Sequence, residues 1–116
     1  MAHPSSPCFA GVLAAALVFA AAPAGAAPDV ANGKKKFDGI CVQCHRSDGE
    51  GMTGMGMNLT EAPLVKTGSV GAIAKFIATG HPPTKDYPLG MPPGGGESLS
   101  AADRTDIAAY LKTLAK

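Results

Sequence analysis

Residues 40–51 read ICVQCHRSDGEG and place two thiols and an imidazole very close together. Cys41 and Cys44 stand three positions apart, and His45 directly follows the second cysteine. Because positions i, i+3 and i+4 share one face of a helix, we expect these side chains to point the same way. The preceding segment, residues 29–43, has helical periodicity, so the motif is predicted at the end of a helix.

Several chemistries use cysteines at this spacing, and most of them fit poorly. A structural zinc site normally adds a second Cys or His pair, and after residue 26 only His81 remains. A thioredoxin-like dithiol belongs to a βαβ unit, and few segments of this chain alternate as strands do. A disulfide between Cys41 and Cys44 would close a very small loop and would leave His45 without a role.

The remaining hypothesis is covalent attachment of a c-type haem, for which C-x-x-C-H is the attachment motif. The thiols of Cys41 and Cys44 would form thioethers with the two vinyl groups. The imidazole of His45 would bind the iron as the proximal ligand. The sequence therefore favours one covalently bound haem c, held by these three residues.

The first quarter of the chain differs from the rest. An unbroken apolar run of about 14 residues, 9–22, is shorter than the roughly 20 that span a bilayer. Ala24-Gly25-Ala26 follows and has the small-x-small pattern of a signal peptidase site. We predict a cleaved secretory signal peptide over residues 1–26 and a domain over 27–116. An uncleaved membrane anchor is the alternative.

The composition of residues 27–116 limits both the partners and the core. All ten Lys and Arg and all nine Asp and Glu lie there, so the domain is nearly neutral and nucleic acid is not an expected partner. Trp is absent, and Phe37 and Phe76 are the only phenylalanines in this part. A chain this short and poor in large apolar residues needs additional stabilisation. We expect the haem to supply it and the apoprotein to be largely unfolded.

Apolar periodicity predicts an all-α fold. Three main helices are expected over residues 29–43, 69–79 and 100–114, with a short helix near 60–66. Ser100 with Asp103 resembles a capping box at the start of the last helix. Long segments rich in glycine and proline separate the helices, and we expect these loops to wrap around a bound group.

Four features together resemble the small class I cytochromes c. They are the CVQCH motif, the preceding helix with Gly33 and Phe37, the GMPP segment at residues 90–93, and a last helix that contains Tyr110. The resemblance implies that the first helix crosses the last where Gly33 and Phe37 meet Tyr110.

The same resemblance covers residues 29–116 and implies the cytochrome c fold, with long Gly/Pro loops around one covalent haem. It also implies a distal iron ligand, for which Met91 in the GMPP segment is the leading candidate. His81 is the rival, and an open sixth position is a third possibility. Three methionines closer to the motif are expected to be packing or surface residues: Met52, Met55 and Met57.

One departure from the family pattern concerns the proximal side. The family commonly has Gly-Pro-x-Leu after the glycine loop, and a backbone carbonyl there accepts the proton on the other nitrogen of the proximal imidazole. The matching residues here are 56–59, GMNL, with Met57 in the place of proline. The position of the carbonyl, which orients and tunes His45, is therefore open.

A haem with His and Met on its two axial positions has no vacant site and serves as an electron carrier. We therefore predict a monomeric periplasmic one-electron carrier between an exported dehydrogenase and a terminal acceptor, and no enzyme. One alternative is a dedicated cytochrome subunit of an alcohol-type dehydrogenase, and another is a gas-binding or peroxidatic haem protein. A basic rim that attracts an acidic partner, or merely a solvated face, is predicted at Lys34, Lys35, Lys36 and Arg46.

Overall fold

The computed structural model describes residues 27–116, together with Gly11 and Ala16. The predicted signal peptide otherwise lies outside the described residues. Over the described part the protein is all-α, as expected, and its β pairing is limited to two isolated bridges. The helices are α1 Val30–Ile40, α2 Val42–His45, α3 Pro63–Thr67, α4 Val70–Thr79 and α5 Ala101–Leu114, with a 3₁₀ turn at Pro93–Gly96.

Side-chain caps begin the three long helices. Asp29 accepts a hydrogen bond from the Asn32 amide at the start of α1. Ser69 and Ser100 do the same for α4 and α5. Each cap satisfies an amide that has no partner inside the helix. The caps explain why these helices begin one residue later than the predicted ranges.

Only one of the two hydrogen bonds of the predicted capping box at the start of α5 is present. The Asp103 amide donates to the Ser100 hydroxyl at 3.0 Å. The Asp103 carboxylate is engaged by α1 instead, where it accepts from the Asn32 side-chain amide at 3.2 Å and lies 3.4 Å from the Lys36 ammonium. The carboxylate thus links two helices instead of closing its own.

The crossing of α1 and α5 is the one that the resemblance implied. Gly33 is buried, and a Cβ there would overlap the Asp106 carbonyl. One turn further on, the rings of Phe37 and Tyr110 pack edge to face, with centroids 5.4 Å apart. Helix α5 also packs along α4, so it is central to the fold. The buried core residues are Phe37, Ala62, Val65, Ile73, Ile77, Ile107, Ala108, Tyr110 and Leu111.

The short helix α3 is held against α5 by a lysine. The Lys112 ammonium donates to the Val65 carbonyl at 3.1 Å and to the Gly68 carbonyl at 2.6 Å. A cation at the end of a helix satisfies carbonyls that have no partner within it. Among residues 27–116 no helix is long and apolar enough to cross a bilayer.

Candidate functional site

The two cysteines and the histidine lie where α1 gives way to α2. Cys41 ends α1 and begins α2, with its amide bonded to the Phe37 carbonyl at 2.8 Å. The amides of Cys44 and His45 both return to the Cys41 carbonyl, at 3.2 and 2.9 Å. The chain therefore makes one tight turn over the motif. Cys41, Cys44 and His45 all line one cavity, as their spacing predicts.

Both cysteines are free thiols and only partly exposed. Burial raises the pKa of the Cys41 thiol to about 11, and the neighbouring Cys44 contributes to that rise. A dithiol redox motif needs the opposite, an attacking cysteine with a lowered pKa. Within the described part of the chain, no three His, Cys, Asp or Glu side chains are grouped as metal ligands. The dithiol and zinc hypotheses therefore gain no support.

His45 is fixed in orientation and tautomer by a backbone carbonyl. Its Nδ1–H donates to the Met57 carbonyl at 2.9 Å, so Nε2 keeps a free lone pair. Burial lowers the pKa of His45, and the bond to Met57 opposes that shift in part. The imidazole is thus neutral near pH 7, which is the form that binds metals. The carbonyl that the family pattern requires is present here, although methionine stands in the place of proline.

Glycines bring this carbonyl to His45. Gly56 is buried, and a Cβ there would overlap the Cys44 carbonyl. Gly51 has a φ of +77°, and a Cβ there would overlap the Gly56 carbonyl. Its amide donates to the His45 carbonyl at 2.9 Å. Met52 and Gly56 pair through two backbone bonds. These glycines are therefore needed because the loop packs closely against the end of α2.

Two candidate distal ligands border the same cavity. His81 and Met91 form an antiparallel bridge, with both of their N–H···O bonds at 2.8 Å. Both residues line the cavity that Cys41, Cys44 and His45 also line. The fold thus brings the leading candidate, Met91, and its rival, His81, to one place.

The cavity has a size and lining that suit a large planar cofactor. Its volume is about 580 Å³, within the range of roughly 300–1,000 Å³ that small-molecule and cofactor sites occupy. Apolar side chains from α1, α3, α4 and the two long loops form most of its wall, among them Phe37, Ile40, Leu59, Leu64, Ile73, Phe76, Ile77 and Pro92. Two cysteines, a histidine with a free ring nitrogen and a methionine that line such a cavity fit a c-type haem.

Phe76 is a wall residue that sequence reasoning did not assign to the site. It lies beside the apolar face predicted for α4, on which Ile73 and Ile77 are buried, and its ring stacks on the His81 imidazole with centroids 5.8 Å apart. Its large aromatic side chain next to an apolar stripe was the only sequence feature that could have indicated a place in the site. Only the position of the cavity shows that this side of α4 faces a bound group.

The predicted basic rim is largely neutralised within the chain. Lys34 is paired with Asp38 in the same helix. Lys36 and Arg46 lie 3.4 and 2.9 Å from aspartate oxygens. Exposed pairs of this kind contribute little to stability, but they reduce the positive field that a partner would meet. The interpretation as a solvated face is therefore favoured over a docking surface.

A helical fold around a cavity with a C-x-x-C-H motif on its border defines a c-type haem protein. A family model described as cytochrome c matches residues 30–115, and the chain belongs to that family. It therefore carries covalently attached haem c and belongs to a class whose general role is electron transfer, not catalysis.

A curated relative extends the comparison. One of the subunits of nicotinate dehydrogenase from Pseudomonas putida is 33% identical over 97 residues, which cover 77% of this chain and 8% of that subunit. The chain thus spans a small part of the length of this relative. No solved structure matches the chain.

Proposed function

We propose that the protein is an exported one-electron carrier whose haem iron is held by His45 and Met91. The signal peptide would be removed after Ala26, and residues 27–116 would work in the periplasm between a dehydrogenase and a terminal acceptor. One observation carries the proposal. His45, whose Nε2 keeps a free lone pair, lines one apolar cavity together with Met91 and the two free cysteines.

Each residue has a defined role in this proposal. When bound, the haem supplies a one-electron ferric/ferrous couple. Cys41 and Cys44 anchor it covalently, and His45 binds the iron while the Met57 carbonyl holds its ring. The Met91 sulfur favours the ferrous state and raises the reduction potential. With His45 and Met91 both holding the iron, the site would accept and release electrons without binding a substrate.

A second candidate is a dedicated cytochrome subunit of a dehydrogenase. It is favoured by the 33% identity to the nicotinate dehydrogenase subunit over most of this chain. The free carrier and the dedicated subunit would use the same haem site and differ in their partners. Gel filtration of haem-stained periplasmic extract separates them, because a free carrier elutes at the size of one chain and a dedicated subunit elutes with its dehydrogenase.

Carbon monoxide tests the carrier against a gas-binding or peroxidatic haem protein. The purified holoprotein is reduced without oxygen and exposed to carbon monoxide, and the Soret band is followed. We expect little binding by the wild type and rapid binding by Met91→Ala, in which the sixth position is open. Equal binding by both proteins would contradict the proposed role of Met91. Amino-terminal sequencing of the same preparation tests the cleavage site, and Ala27 is the expected first residue.

A further inference from the structure

The segments around His81 and Met91 close into a tight backbone clasp, which we define as residues 80–81 together with 90–91. His81 and Met91 exchange both hydrogen bonds at 2.8 Å. Each is preceded by a glycine in the left-handed region, Gly80 at φ +67° and Gly90 at φ +65°. A Cβ at Gly80 would overlap the Met91 carbonyl, and one at Gly90 would lie 2.7 Å from the His81 carbonyl. The approach of the two segments thus depends on both glycines.

The imidazole of His81 joins this clasp to α4. Its ring lies nearly parallel to the ring of Phe76, at an interplanar angle of 21° and a centroid distance of 5.8 Å. Its Nδ1–H donates to the Pro82 carbonyl at 2.8 Å, which fixes the ring plane. Residues directly opposite each other in an antiparallel pair project to the same face. The His81 ring and the Met91 side chain therefore lie side by side at the cavity, with Phe76 behind the ring.

The clasp already has one backbone link to α4, because the Gly80 amide donates to the Phe76 carbonyl at 2.8 Å. The segment that closes the clasp is exposed on its solvent side. The nine residues between His81 and Met91 are mostly exposed, and Leu89 is 69% exposed. The internal bonds of this segment join Thr84, Tyr87 and Gly90 to one another and so close a local turn without fastening it to a helix. The stack of the exposed His81 ring on Phe76 thus adds a side-chain contact to the backbone bond between Gly80 and Phe76, and the two together hold the clasp against α4.

We propose that His81 is a positioning residue for the distal iron ligand. By stacking on Phe76, its ring anchors the clasp to α4, and the two backbone bonds of the bridge pass that constraint to Met91. The inference rests on the proposed function, in which Met91 binds the iron. Without the ring, the Met91 thioether is less well held, and an external ligand displaces it more easily.

Displacement of Met91 by added imidazole tests the inference. Ferric holoprotein is titrated with imidazole while the weak red-end absorption band of methionine sulfur on ferric iron is followed. We expect His81→Ala to bind imidazole roughly two- to tenfold more tightly than the wild type, since an aromatic pair of this kind changes an equilibrium constant by about that range. His81→Phe, which keeps a ring on Phe76, is expected to recover most of the wild-type resistance. Lys85→Ala, in the middle of the exposed segment between His81 and Met91, is the control and should match the wild type.

The other outcomes decide against the inference. Equal imidazole affinity of the wild type and His81→Ala, with the sulfur band present in both, would overturn it and leave the role of Met91 intact. If His81→Ala fails to fold, His81→Phe takes its place as the test. An imidazole affinity of His81→Phe as far above the wild type as is expected for His81→Ala would overturn the inference. Absence of the sulfur band from the wild type would instead overturn the proposed function.

Discussion

Arg46 is the residue at which the backbone departs furthest from ordinary geometry. Among the described residues it is the one non-glycine with positive φ, at φ 61° and ψ 163°. That region is nearly confined to glycine and costs of order 1–3 kcal/mol for other residues. Arg46 directly follows His45 and ends α2, so the strain stands where the chain must turn sharply into the loop that carries Met57.

Relief of this strain is measurable. We expect Arg46→Gly to raise the free energy of unfolding of the holoprotein by about 1 kcal/mol, because glycine adopts this conformation freely. The variant also loses the exposed Arg46–Asp48 ion pair, which lowers the free energy of unfolding only slightly. Denaturant unfolding followed by circular dichroism checks the value, with Lys35→Gly in α1 as the control that should lose about 1 kcal/mol. If the free energy of unfolding fell by a similar amount in Arg46→Gly and Lys35→Gly, the backbone at Arg46 would not be strained.

The close contact at Gly56 supports the His45 site. In Gly56→Ala the new Cβ must push the loop away from the Cys44 carbonyl, and the neighbouring Met57 carbonyl moves away from His45 with it. We expect the free energy of unfolding to fall by about 1–3 kcal/mol, as overpacking typically costs, and the reduction potential to change. Gly39→Ala, in an open position of α1, is the matched control and should be neutral or slightly stabilising. An unchanged potential in Gly56→Ala would count against the role of the Met57 carbonyl.

At the scale of helices, the sequence predicted most of what formed. The helices over 70–79 and 101–114 followed from apolar stripes, and the second of them also from the Ser100 cap, which are local signals. The crossing of α1 and α5 followed from the family resemblance. The sequence around Gly33 and Phe37 does not by itself indicate which distant helix packs against them. The division of the first helix at Cys41 was missed, since every residue there keeps a helical or near-helical conformation.

The clasp was also beyond local reasoning. The segment over 80–99 was predicted to be a loop, and the bridge between His81 and Met91 depends on two segments that meet only in the folded chain. Gly80 and Gly90 are clear in the sequence, but their meaning as a matched pair appears only when their φ angles and close contacts are seen. Sequence could name both candidate ligands but could not show that they stand opposite each other in one bridge.

The Asp103 carboxylate that links α1 to α5 should make the thermal stability depend on pH in the acidic range. The hydrogen bond from Asn32 is the largest cause that lowers the pKa of Asp103, and Ser100 and Lys36 also lower it. A carboxylate with a lowered folded-state pKa adds stability above its unfolded pKa of about 3.9, and that stability is lost as pH falls through the folded value. We expect the Tm of the holoprotein to fall as the pH is lowered from about 5 to 3, and Asp103→Asn to fall less steeply over that range. Asp86→Asn, on the exposed segment, is the control, and equal slopes for all three proteins would contradict this link.

At the scale of the whole molecule, the cavity is large compared with the polypeptide core beside it. Among residues 27–116, nine apolar residues are buried, and a cavity of about 580 Å³ lies beside them. Burial of apolar surface drives folding, and small domains bury a low fraction of theirs. A haem bound in this cavity would contact side chains that line it, such as Leu64 and Phe76, and would so supply part of the core.

Removal of the haem attachment tests this balance. We expect the haem-free Cys41→Ala/Cys44→Ala variant to be largely unfolded at about 25 °C, with weak helical circular dichroism and no cooperative thermal transition. The wild-type holoprotein is the control and should unfold cooperatively. A haem-free variant with native helix content and a sharp transition would show that the polypeptide core is sufficient by itself.

The proposed carrier function depends on Met91 as the sixth ligand, because that ligand separates a carrier from a haem protein with an open site. The most direct measurement is the visible spectrum of the ferric holoprotein, compared between the wild type, Met91→Ala and His81→Ala. We predict that the red-end sulfur band is present in the wild type, persists in His81→Ala and disappears in Met91→Ala. A wild type without the band, whose spectrum changes in His81→Ala and not in Met91→Ala, would contradict ligation by Met91 and with it the carrier function.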